Sequence, residues 1–165
     1  MSSIRSYLEG RRVPFEALLH GPAASSARRA HSVHVPGRAV AKAVLVATDR
    51  GHVLAVLPAT HRIDFDRLAA CLGVEKAGLA PEEEVVRVFA DCERGALPPF
   101  GRLYGLATIV DASLAGAAAI VVEGNSRHED LRLRYRDYEA LESPLRGRFA
   151  APSCPRRAAP QRRAG

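Results

Sequence analysis

Gly37-Arg38-Ala39-Val40-Ala41-Lys42-Ala43-Val44-Leu45-Val46-Ala47 places a single lysine inside a run that otherwise reads as a buried strand. Burying an unpaired ammonium is costly, so Lys42 either snorkels out at the strand end or faces a polar pocket. The strand has its partner next in the chain. Asp49-Arg50-Gly51 reads as a hairpin turn and Val53-Leu54-Ala55-Val56-Leu57 as the returning strand, which makes the lysine strand one arm of an antiparallel pair.

Upstream, Ile4, Tyr7 and Leu8 have helical spacing over residues 3–11, with Gly10 where the helix frays. Residues 13–19 read as a short strand broken by His20-Gly21-Pro22. Ser25 or Ser26 can cap a helix through Ala27, Ala30 and Val33 toward His34, closed by Pro36-Gly37. Downstream, Asp64 is placed to cap a helix through Leu68 and Cys71 that stops at Gly73, with Cys71 toward the core. Pro81-Glu82-Glu83-Glu84 starts another, because proline suits a first turn and carboxylates complement the positive helix end. Val85, Val88 and Phe89 form its apolar face. Residues 107–110, 118–123 and 131–134 read as strands and residues 135–141 as a terminal helix.

Locally paired strands mixed with short helices predict an α+β, or mixed α/β, domain with a largely antiparallel sheet surrounded by short helices. The expected domain is residues 1–144. Residues 145–165, rich in Arg, Pro and Ala, are expected to form a disordered tail.

A chain of 165 residues supports one domain with a real core. Six of the 24 basic residues lie beyond Pro144 with no acid among them, and the rest balance the 18 acids one for one. The formal charge of +6 therefore belongs to the tail, where it offers a weak, salt-sensitive attraction to RNA phosphates. No apolar run approaches the roughly 20 residues that span a bilayer, and the N-terminus lacks a secretory core, so the expected location is the cytoplasm with no membrane partner. Cys71, Cys92 and Cys154 are odd in number and lack a CxxC pair, which argues against a disulfide framework or a zinc knuckle. No Walker loop, GxGxxG, HExxH or GxSxG is present.

The second feature with chemical content is Gly95-Ala96-Leu97-Pro98-Pro99-Phe100-Gly101, where glycine freedom at both ends brackets proline rigidity. Such a loop can hold backbone N–H groups in a fixed array. With Lys42 it could make a small anion or carbonyl site, with donors from Gly95, Ala96 or Gly101. His128, in Gly124-Asn125-Ser126-Arg127-His128, reads either as a pocket residue or as an ordinary loop histidine. His20, His52 and His61 read as structural or exposed. His31 and His34 have i, i+3 spacing without a third ligand, so no metal site is expected. Cys92 lies close enough to the loop for a thiol-hydrolase reading to be weighed.

Taken in order, these segments resemble the YbaK family, free-standing relatives of the editing domain inserted in bacterial prolyl-tRNA synthetases. The resemblance rests on His34-Val35-Pro36-Gly37, Ala41-Lys42-Ala43-Val44, Leu57-Pro58-Ala59 with Ile63-Asp64, Leu72-Gly73-Val74 and Pro81 to Glu84. It continues through Gly95 to Gly101, Tyr104-Gly105-Leu106, Val110-Asp111 and Glu123-Gly124-Asn125 with His128. It implies hydrolysis, by water and without a cofactor, of the ester joining a wrong amino acid to the 3′ end of a tRNA. By resemblance, Lys42 helps hold the terminal adenosine, and Gly95 to Pro99 lie against the aminoacyl group. Ala96, Gly101 and His128 would contact substrate. Implied partners are the acceptor end of an aminoacyl-tRNA and, transiently, a synthetase, with no DNA. In several relatives Asn or Thr follows the lysine, whereas Ala43 does here, which bears on amino-acid specificity. The alternative is a non-catalytic module of the same fold that binds a tRNA end or a nucleotide.

Overall fold

The computed structural model describes residues 4–20 and 36–153. The hairpin around Lys42 is its centre. A 3₁₀ turn, Gly37–Ala39, leads into β2 (Val40–Thr48), which returns as β3 (Gly51–Pro58) in a register that pairs Thr48 with Gly51 and Lys42 with Leu57. Gly51 has φ +110°, a value the turn requires and that glycine takes without strain.

Other strands add on both sides of the hairpin. These are β1 (Phe15–Leu19), β5 (Ala77–Leu79), β6 (Ala107–Asp111), β7 (Ala119–Glu123), β8 (Glu129–Arg134) and β9 (Leu145–Gly147). The order is β1-β8-β7-β2-β3-β6-β9, with β5 on the far half of β2. Pairing is antiparallel at β1–β8, β7–β8, β2–β3 and β2–β5, and parallel at β2–β7, β3–β6 and β6–β9. A two-stranded ribbon of β4 (His61–Ile63) and β10 (Ala150–Pro152) lies apart. The fold is thus mixed α/β with a mostly antiparallel sheet, as the sequence predicts.

Alternation along the strands sends side chains to two cores. Ala41, Leu45, Leu54, Val56, Val110 and Val122 meet Ile4 and Leu8 of α1 (Ile4–Gly10), Phe89 at the end of α3 (Glu82–Val88), and Tyr135 and Tyr138 of α4 (Tyr135–Glu142). On the opposite face Val46, Ala55, Leu57 and Ile109 meet Leu68 of α2 (Phe65–Leu72) and Phe149. The capping read from sequence at α2 is present: Asp64 accepts a hydrogen bond from the Arg67 N–H at 3.1 Å, and Gly73 ends the helix at φ +65°. Cys71, expected toward the core, is exposed, because Leu68 and not Cys71 occupies the buried stripe of α2.

The expected boundary at Pro144 is corrected. Residues 145–153 form β9 and β10, and Phe149 between them is fully buried. Asp111 fixes this segment. Its carboxylate accepts the N–H groups of Phe149 and Ala150, each at 2.8 Å, and the Ser113 hydroxyl at 2.5 Å. Burial alone would raise the Asp111 pKa, but the Ser113, Ala150 and Phe149 hydrogen bonds outweigh it and hold the carboxyl below its ordinary value. Arg146, assigned to the tail, pairs with Glu139 of α4. The helix expected toward His34, the His31/His34 pair, Cys154 and the last four arginines lie outside the described residues. Among the described residues no helix is long and apolar enough to cross a membrane.

Candidate functional site

The strands β2 and β7 pair only at Val40 with Val121 and Ala41 with Val122, and β5 joins β2 only from Val46 onward. Between these two contacts the edge of β2 over residues 42–45 has no strand partner among the described residues, and the segment Glu93–Leu97 comes up to the split. The Glu93 N–H bonds the Asn125 carbonyl at 2.9 Å and the Leu97 N–H bonds Glu123 Oε2 at 2.9 Å, tying the loop to the end of β7.

Beside the split lies a cavity of about 280 Å³. Ala43 and Leu45 of β2, Leu79 and Ala80, and Val85 and Phe89 make its apolar wall, and Gly95 and Leu97 close one end. The carboxylate of Glu84 holds α3 over it, with Oε2 2.5 Å from His52 Nε2 on β3.

Lys42 is next to this cavity and not in its lining. Its neighbour Ala43 shares the inner face with Ala41 and Leu45, so alternation turns Lys42 to the opposite face, with Val40 and Val44. Glu123 follows Val122 as Lys42 follows Ala41, so by the same parity Glu123 leaves the sheet on the lysine's side. The loop reaches both sides: the Leu97 side chain lines the cavity, and its N–H bonds Glu123. The two features singled out in the sequence therefore meet at one split edge, from opposite faces of β2.

The ammonium of Lys42 is half-buried, and burial lowers its pKa from the ordinary 10.5. Among the described residues it has no hydrogen-bond or salt-bridge partner. A charge held in that state at a cleft marks a candidate functional group.

The loop divides into a presented half and an anchored half. Gly95 is exposed, with φ +80° and open space where a Cβ would stand. Ala96 and Pro98 to Gly101 are buried. The Ala96 N–H bonds the Glu93 carbonyl at 3.0 Å, and the Pro99 carbonyl accepts the Tyr138 hydroxyl at 3.0 Å. Gly101 is a packing glycine, since a Cβ there would stand 2.3 Å from Thr108 Oγ1 and 3.0 Å from the Leu106 carbonyl. Gly95 thus lines the cavity, whereas Ala96, Pro99 and Gly101 support the loop from inside. His128 is exposed, and its backbone bonds the Ser126 hydroxyl and the His20 N–H.

Two groups named in the sequence have partners that it does not reveal. Asn125 ties three elements together: its Oδ1 accepts the Ile4 N–H at 2.8 Å, and its Nδ2 faces Cys92 Sγ and the Tyr104 hydroxyl, each at 3.4 Å. Cys92 lines the cavity, and burial pushes its thiol pKa up, which disfavours a thiolate nucleophile. The second group is His20 with Asp130, both buried, Nε2 to Oδ2 3.1 Å. Such pairings between residues far apart in the chain leave no local sequence signal. No group of three or more His, Cys, Asp or Glu able to hold a metal is present among the described residues.

Comparison with known proteins places this geometry. Over 90 residues the chain is 29% identical to the proline–tRNA ligase of Pelobacter propionicus, covering 54% of this chain but only 16% of the ligase. A solved structure described as a candidate trans-editing enzyme for prolyl tRNA synthetase superposes with a TM-score of 0.76 at 20% identity, over 90% of this chain and 94% of that one. A hypothetical protein of solved structure superposes with a TM-score of 0.81 at 18% identity, over 90% and 99%. At such identities these structures share the fold. The sequence pattern of the aminoacyl-tRNA editing domain matches residues 20–141, a span that contains β2, the Gly95 loop and β7. Every element that builds the split edge lies inside that match, and the chain belongs to the aminoacyl-tRNA editing domain family.

Proposed function

We propose that this chain acts in trans on a mischarged tRNA and hydrolyses the ester between the amino acid and the 3′-terminal ribose. Water attacks the ester carbonyl carbon, the bond from that carbon to the ribose O3′ breaks, and the oxygen leaves with a proton. The products are a free amino acid and an uncharged tRNA. The substrate's own 2′-hydroxyl stands next to the reacting ester and can relay the proton, so no serine or cysteine nucleophile is needed.

The observation that carries the reading is the half-buried ammonium of Lys42, without a hydrogen-bond or salt-bridge partner among the described residues, one residue from the cavity wall. An ammonium in that environment would attract the 5′-phosphate of the terminal adenosine and favour negative charge developing near it on the carbonyl oxygen. Gly95 lines the cavity on the other face of the same split edge, while Ala96, Pro99 and Gly101 support the loop behind it. His128, on the surface beyond β7, would reach the ribose from outside. The named relatives make a prolyl-tRNA synthetase the natural transient partner.

The test is deacylation of a panel of mischarged tRNAs, beginning with the proline tRNA. Release should be faster with the protein than with Lys42→Ala, and equal rates would remove the reading. A second reading, a non-catalytic module that binds a tRNA end, is favoured by one observation: the Ala96 and Leu97 N–H groups are already engaged within the protein. It predicts saturable binding of the acceptor end without turnover.

A further inference from the structure

We propose that the cavity beside Lys42 receives the amino-acid side chain and selects aliphatic side chains larger than a methyl group over small and hydroxylated ones, a proposal that rests on the deacylase reading above. The wall carries the argument. Ala43, Leu45, Ala80, Val85, Phe89 and Leu97 are apolar, and Leu45 and Phe89 are fully or almost fully buried. The charged residues in the lining, Glu82, Glu93 and Arg94, are all exposed, which puts them at the mouth. The remaining polar side chain among the described lining residues is Cys92, already in contact with Tyr104 at 3.3 Å and Asn125 at 3.4 Å.

A hydroxyl pushed into this wall would lose its water without gaining a side-chain partner, whereas each buried methylene gains about 0.8 kcal/mol, roughly fourfold in binding. A lone methyl group would leave most of the roughly 280 Å³ uncontacted and forfeit the dispersion contacts a larger chain makes. Ala43 is the depth gauge, because its small side chain on the inner face of β2 leaves the wall open where a longer one would fill it.

One proline tRNA transcript, charged in turn with valine, isoleucine, leucine, alanine, threonine and phenylalanine, tests this with the RNA held constant. The expected kcat/KM exceeds that for alanyl by about fifteenfold for the valyl ester, with two more carbons, and by up to about sixtyfold for the isoleucyl ester, with three. Valyl should lead its isostere threonyl by on the order of ten- to a hundredfold. Ala43→Leu should lower the valyl rate and bring alanyl to parity, with melting followed by circular dichroism to show that the variant is folded. Val85→Ala, which enlarges the cavity from α3, should raise leucyl relative to valyl. If threonyl equals valyl, or alanyl or phenylalanyl leads, the pocket proposal is overturned while deacylation stands. If no ester is cleaved faster than in buffer, both fall.

Discussion

Replacing Lys42 by methionine keeps an unbranched side chain one atom shorter and removes its charge, and stability and activity should move in opposite directions. Several kcal/mol is the effective penalty for burying an unpaired ion. Lys42 is only partly buried, so discounting for solvent screening leaves on the order of 1 kcal/mol to be recovered in Lys42→Met. For a chain of this size that is a rise of about 2–4 °C in Tm. The lysine pKa is depressed in the fold, so between its folded value and 10.5 the unfolded chain binds the extra proton. Wild-type stability therefore climbs with pH across that window, and the advantage of the methionine variant should shrink as pH approaches 10.5. Deacylation should fall by about 10²–10³, the usual effect of deleting one charge-stabilising donor. Urea titrations at several pH values, set beside single-turnover deacylation, give both readouts. A variant that melts at or below wild type and still hydrolyses within a factor of two would show that Lys42 merely snorkels.

Phe149→Ala should cost about 3–5 kcal/mol, because the ring is fully buried against Val46, Leu57, Leu68 and Ile109. An unchanged urea midpoint would mean that residues 145–153 are not part of the folded unit. The two loop glycines should separate: Gly101→Ala forces a clash with Thr108 and lowers stability by about 1–3 kcal/mol. Gly95→Ala meets only the backbone cost of φ +80°, about 1 kcal/mol, so its larger effect should appear in kcat/KM. Cys92→Ser should retain near-wild-type deacylation, and loss of activity with the melting curve intact would reinstate a thiol mechanism. Removing residues 154–165 takes away four arginines and should flatten the salt dependence of tRNA binding by about 0.7 log units per lost phosphate contact, measured by filter binding in a salt series. An identical slope would show that these arginines do not touch RNA.

Much of the central architecture was legible because its signals are local. The Asp49-Arg50-Gly51 turn, the Asp64 cap and the Gly73 stop each need only a few neighbouring residues to act. The end of the domain was not legible. β9 and β10 are three-residue strands in an arginine-rich stretch, held by the pocket around Phe149 and by the Asp111 carboxylate, which lies 38 and 39 residues from the N–H groups it accepts. β4 and β5 were missed for the same reason, being short strands defined by what they pair with. At the site, the awkward position of Lys42 and the bracketing glycines could be read directly. Which loop N–H groups remain free could not, because Leu97 spends its own on Glu123, 26 residues further on.

The opposite placement of Lys42 and Ala43 has a consequence for how the chain can change length. Inserting one residue between the Asp49-Arg50 turn and Lys42 would swap every side chain of that half-strand from one face to the other, driving the ammonium into the aliphatic chamber and the methyl group out of it. Single-residue indels inside β2 or β3 should therefore be excluded, because Leu54 and Val56 face one core and Ala55 and Leu57 the other, whereas indels in the loops that flank the hairpin put no parity at stake.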